Sequence, residues 1–319
     1  MISRSRTRCG IEPHTVSGRA VVKVGALYAG GPVTVKTFAR LAEAAGFDSV
    51  WCGDHVASHV DGLAGLGVLA GATEEIAIGT SVIVASFRPA VVTAKALATV
   101  AVVAKGRTIA GLGAGGDLPL EFAATGADLR TRGAFLDEAI EVMQLLWRGT
   151  SASFRGRWAS FDDLALEPVP DPPPPIWIGG RSPAALRRAA RIGSGYLLYL
   201  VSPEEVARRA RELARLSDEL GRGWRGAVAV VTFVMGAADW SAALDGAMAS
   251  SILPGLTASQ IRSRWLLGTE EDIVARARSF SASGVDHLIL GCPPGDRRVL
   301  DGFLSIGRCV IDELSRFPG

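Results

Sequence analysis

Two of the four histidines in this chain, His55 and His59, stand at the end of a short apolar strand, SVWCGDH (Ser49–His55), with Asp54 immediately before the first. An imidazole titrates near neutrality, so a histidine at a strand end is suited to general acid–base work. Two other apolar runs end in glycine-rich turns: TIAGLGAGG closes on Gly113, Ala114, Gly115 and Gly116, and PIWIGGRSP on Gly179, Gly180, Arg181 and Ser182. In the second, Ser182 caps a helix with Pro183 behind it. The free N–H groups of that helix start, its dipole and Arg181 would together hold a phosphate. Each feature also has a plainer explanation: an Asp-His pair bonding neighbouring backbone, a tight turn at the glycines, and a capped helix with no ligand.

The elements that position these residues repeat along the chain. VKVGALY (Val22–Tyr28) precedes a helical pattern in which Val35, Phe38, Leu41, Ala42 and Ala45 recur at three and four residues, with Gly46 as its stop. DSVWCG is a second strand, and Asp61 caps a helix over Gly62–Ala72. EIAIGTSVIVA reads as a third strand, Thr93–Ala104 as a helix, TIAGLG as strand four, and Phe135–Leu146 as the next helix. Residues 149–174 break the pattern with SASFRGRWASFD and DPPPP, predicting a hairpin and a polyproline-like connector outside the core. PIWIGG, GYLLYL, AVAVVTFVMG and VDHLILGC complete eight strands, each followed by helical sequence, the last over Val299–Leu314. Eight strand–helix repeats, with near-continuous apolar late strands, predict an α/β fold, a (β/α)8 TIM barrel with an insertion around residues 149–174. Tyr28, Asp54, His55, Ser81, Val82, Gly113–Gly116, Gly179–Ser182, Tyr199, Met235 and Cys292 would then line one mouth.

Composition narrows the function. With 34 basic and 32 acidic residues and no charge cluster, the chain is not read as a nucleic-acid binder. No run approaches the roughly 18 apolar residues of a membrane span, and the basic N-terminus has no apolar signal core. Four scattered cysteines without CxxC spacing predict neither a zinc site nor a disulfide framework, no metal constellation is apparent, and a reduced, cytoplasmic setting is expected. Residues 1–20 are expected to form a disordered tail and 21–319 a single barrel domain. Gly111, Gly113 and Gly116 also satisfy GxGxxG. A Rossmann site is disfavoured, because the motif follows the fourth strand, no helix starts at once after it, and no acidic strand end follows about 20 residues on.

GFDSVWCGDH, TSVIVASFRP, GRTIAGLGAGG with RGAFLDEAIEVMQLLWRG, PPIWIGGRSPAALRRAARIGSGYL and GVDHLIL, in this order, resemble the luciferase-like monooxygenase superfamily over Val22–Leu314. The strand-three and strand-four segments are closest to its deazaflavin (F420) branch. The resemblance implies F420, or alternatively FMN, at the barrel mouth, a non-prolyl cis peptide at Ser81–Val82 against the ring, and His55 near the reacting carbon. It implies a small-molecule substrate and a homodimer. His59 and the strand-end residues Asp54, Ser81, Val82, Gly113–Gly116 and Gly179–Ser182 become site candidates, with Arg88 either at the anionic tail or in solvent.

The chain departs from the deazaflavin dehydrogenases at two places. His59 stands where they often carry Trp, and Gly116 where they often carry a Glu proton donor; Asp117, Glu121 or His59 would have to replace that acid. The expected activity is hydride transfer between F420 and a carbonyl, alcohol, imine or alkene. The alternatives are a two-component FMNH2-dependent monooxygenase, or a catalytically degenerate cofactor-binding barrel. Residues 149–174 and Asp239–Ser263 are expected to select the substrate.

Overall fold

A computed structural model of the protein describes residues 15–16, 19–31, 33–116, 118–250 and 255–316. The expected tail falls mostly outside these residues, as does Asp117; Thr15–Val16 pairs antiparallel with Arg19–Ala20. Eight parallel strands close on themselves: β1 (Lys23–Tyr28), β2 (Ser49–Cys52), β3 (Ala77–Thr80), β4 (Thr108–Gly113), β5 (Ile176–Gly179), β6 (Gly195–Tyr199), β7 (Ala227–Gly236) and β8 (His287–Gly291). Neighbours in sequence are neighbours in space, and β8 returns to β1 through Leu288 opposite Val24. This is a TIM barrel. Because every strand runs the same way, the residues after all eight gather at one mouth.

Two tryptophans fill the barrel. Trp51 and Trp177 lie 5.4 Å apart, packed with Leu27, Ile109, Leu197, Val231 and Ile289. Rings of this size fit because their neighbours have no side chain: a Cβ on Gly79 would lie 2.3 Å from Trp51, and one on Gly195 2.4 Å from Trp177. Below them the Trp51 indole N–H donates to Ser49 Oγ at 2.7 Å, and Ser49 lies 2.7 Å from His287 Nε2.

Complete burial holds the His287 pKa down to about 3, helped by the Lys23 charge. The unfolded chain, with a value near 6.5, therefore takes up the proton first on acidification. The stabilisation is complete above about pH 6.5 and declines at up to about 1.4 kcal/mol per unit as pH falls toward 3. Urea unfolding at a series of pH values should show this slope, and His287→Gln should flatten it.

The insertion forms a hairpin, Ala152–Arg155 with Ser160–Leu164, as expected. It lies on the outer wall, where Glu138 of the helix Arg132–Leu146 accepts from the N–H groups of Arg157, Trp158 and Ala159 at 2.7–2.8 Å. Trp158 packs on Phe135 of that helix at 5.4 Å. The chain then passes Gly106, which precedes β4, and enters β5 from the far end of the barrel. By contrast, the helices Trp240–Ala249 and Ala258–Arg264 pack with Ala29, Tyr199, Leu200, Phe233 and Met235, which lie at the mouth ends of β1, β6 and β7.

Candidate active site

The third strand is interrupted rather than continuous. Thr80 ends β3, the Ser81–Val82 peptide is cis, and Ile83–Val84 resumes pairing with Leu112 and Gly113 of β4. The Thr80 hydroxyl takes over the missing ladder positions, donating to Gly111 O at 2.8 Å and accepting from Gly111 N at 3.1 Å. Here the strands approach so closely that a Cβ on Gly111 would sit 1.8 Å from Thr80 O, which only glycine permits. The bulge puts Val82 over the barrel interior, against the apolar cluster around the two tryptophans. Its methyls occupy the space that side chains at Gly113 and Gly179 would need, with Cβ positions 2.4 and 2.5 Å away. At these two positions the missing side chain makes room for Val82. Ser81 Oγ is buried at the same place with no hydrogen-bond partner.

Asp54 holds this bulge. Its buried carboxylate accepts from Gly62 N at 2.9 Å, Val84 N at 3.0 Å and both Arg88 amino groups at 2.7 Å. Both oxygens are thus taken up by the protein, which ties the end of β2 to the next helix and to the resumed strand. Arg88 also pairs with Asp61, and the two carboxylates raise its pKa further above the ordinary guanidinium value. The alternatives expected for Arg88, an anion-tail contact or a solvated charge, give way to a two-carboxylate ion pair that is 19% exposed.

His55 follows directly, with its side chain 33% exposed. Its Nδ1 lies 3.2 Å from Glu121 Oε2, while Glu121 Oε1 accepts from Val56 N and Ala57 N at 2.8 and 3.0 Å. Glu121 is buried in a short helix, Pro119–Thr125, that the sequence pattern does not reveal. Burial opposes its ionisation, but the Ala57 and Val56 amides and His55 together outweigh this and hold its carboxyl below the usual range. Of the candidates for the missing acid, Glu121 has its carboxylate against His55 Nδ1 and is held as an anion rather than a proton donor, while Asp117 lies outside the described residues. His59 is 5.4 Å from His55, ring to ring, in a left-handed conformation (φ 60°). Desolvation and the His55 charge lower its pKa, against a hydrogen bond to the Ala29 backbone.

Gly115 and Gly116, at φ 65° and 125°, carry the chain from β4 to this short helix, and Ala114 packs on the main core. Across the mouth, Gly180 turns at φ 136° and Ser182 Oγ caps the helix Pro183–Ile192 through Ala185 N at 3.2 Å, leaving Arg181 and Ser182 exposed. Two rim candidates are drawn inward. The Tyr28 hydroxyl donates to Val33 O and its ring packs on Phe38 in the outer layer. Burial pushes the Cys292 thiol up to about 12, which removes it as a nucleophile near neutrality.

Residues 20–287 match the family model described as luciferase-like monooxygenase. The chain belongs to that family. Among this family member's curated relatives, the F420-dependent glucose-6-phosphate dehydrogenase of Beutenbergia cavernae is 30% identical over 308 residues, 83% of this chain and 89% of that protein. Among solved structures, an F420-dependent secondary alcohol dehydrogenase in complex with an F420-acetone adduct superposes with a TM-score of 0.79 at 21% identity, over 91% of this chain and 99% of that one. The oxygenating constituent of 3,6-diketocamphane monooxygenase from Pseudomonas putida, in complex with FMN, gives 0.72 at 15%, over 93% and 98%. The structural likenesses carry the barrel fold; the sequence relationship carries the family.

Proposed function

We propose that this luciferase-like protein is an F420-dependent oxidoreductase acting on a carbonyl, alcohol, imine or alkene of a small organic molecule. The observation that carries this reading is the placement of His55, backed by a buried carboxylate, at the same mouth as the Val82 shelf and the exposed Ser182-capped helix start. The residues present fit such a group. Ser81 offers a buried hydroxyl without a partner, Val82 an apolar floor, and Arg181 with the Ala184 amide and the positive end of the helix Pro183–Ile192 a seat for phosphate. Bound there, the deazaflavin would supply hydride chemistry at its C5 carbon. His55 would manage the accompanying proton on the substrate oxygen or nitrogen, and Asp54 would act indirectly by keeping the bulge in place.

The FMN-dependent monooxygenase reading has one point in its favour, the shared barrel of the FMN-bound neighbour. Anaerobic incubation of the protein with reduced F420 and a panel of small carbonyl, imine and alkene acceptors separates the two. Acceptor-dependent return of the oxidised deazaflavin absorbance is expected, and activity that requires oxygen and a flavin reductase would overturn the assignment.

We assign the expected homodimer to the outer faces of the helices Gly62–Ala72 and Ala90–Val103. The first contains no polar side chain and the second only Thr93, Lys95 and Thr99, so both are apolar on the side away from the barrel as well. Val68, Val92, Val102 and Val103 are 42–56% exposed there. Light scattering should give twice the 33.3 kDa chain mass.

A further inference from the structure

We propose that Glu121 is the positioning residue of His55, holding its proton on Nδ1 so that Nε2 alone is presented to the reacting molecule. Three observations carry this. Glu121 is 4% exposed, and one of its oxygens is fixed by two backbone N–H groups from the loop that bears His55. The other oxygen lies 3.2 Å from His55 Nδ1. An ionised carboxylate only accepts, so the ring nitrogen facing it must donate, and the neutral imidazole is left with its lone pair on Nε2.

The short helix that carries Glu121 leaves β4 through the Gly115–Gly116 turn, so the same contact ties the glycine-rich segment to the loop after β2. The tautomer follows from the contact geometry together with the ionised carboxylate. Its consequence for turnover rests on the proposed proton-handling role of His55.

Glu121→Gln gives a specific reversal. The amide oxygen can keep the Val56 and Ala57 bonds, but the group left facing Nδ1 is then an NH2, which only donates. His55 should therefore move its proton to Nε2, the wrong nitrogen. Nitrogen-15 spectra of ring-labelled protein at about pH 8, where an ordinary imidazole is neutral, should show His55 protonated at Nδ1 in the wild type and at Nε2 in Glu121→Gln. F420 turnover should fall by roughly 10²-fold or more, with F420 affinity changed by less than about threefold. A wild-type ring protonated at Nε2, or a tautomer indifferent to Glu121→Gln, would overturn the proposal. The wild-type spectrum decides even if the variant does not fold. An absence of F420 turnover with the predicted tautomers in place would overturn the oxidoreductase reading and leave the positioning role standing.

Discussion

His55→Ala is expected to lower F420 turnover by about 10²–10⁴-fold, the usual worth of a positioned general acid or base, with F420 affinity held within about threefold. The asymmetry follows from the site. His55 is partly exposed at the mouth, and among the described residues its hydrogen-bond partner is the Glu121 carboxylate. The candidate phosphate seat lies across the barrel at Arg181 and Ser182. Removing the imidazole therefore subtracts proton management and leaves the shelf and the helix start in place. Glu121 would lose one partner but keep its two backbone amides, so the fold should persist with an unchanged urea midpoint. Single-turnover kinetics with reduced F420 and an accepted substrate would read the chemical step directly. Unchanged turnover would remove His55 from the mechanism.

Asp54→Ala should do the opposite, and damage the fold first. Four protein donors converge on that carboxylate, which is 2% exposed. Its loss leaves the N–H groups of Gly62 and Val84 without their acceptor and Arg88 with only the half-exposed Asp61. Breaking a buried ion pair from one side typically costs about 3–5 kcal/mol, because the remaining charge stays desolvated. Arg88 is 19% exposed, which places the expectation near the lower end of that range, about 3 kcal/mol. Urea denaturation of the wild type and variant at pH 7 measures it. A loss under about 1 kcal/mol would show that solvent or Asp61 replaces the carboxylate.

The barrel was legible in the sequence because each strand carries its own signal. Parallel strands covered on both faces are continuously apolar, as in AVAVVTFVMG, which is β7 from end to end. Side-chain caps at Asp61 and Ser182 mark helix starts that need no tertiary context. What escaped was set by contacts between distant segments. EIAIGTSVIVA reads as one strand from its own pattern, and only the family resemblance put a cis peptide at Ser81–Val82, where Thr80 and Gly111 meet across the sheet. Leu266–Gly268, which pairs with Val234–Gly236, likewise owes its strand form to a partner distant in sequence.

The site was legible by type and not by role. The histidine, the glycines and the Ser-Pro helix start are local features. Whether Asp54 faces a ligand or an arginine depends on Arg88, 34 residues away. Glu121 could be named only as one acid among three until its distance to His55 was known, since 66 residues separate them in sequence.

The most direct test of the assignment is a titration of the purified protein with F420 and with FMN, each oxidised and reduced, followed by fluorescence quenching. Binding of the deazaflavin with a Kd of about 1 μM or tighter, worth roughly 8 kcal/mol, and no saturable binding of either FMN form is the expected result. Preference for reduced FMN would contradict the F420 assignment and move the protein to the monooxygenases, and binding of neither would make the barrel a degenerate member of its family.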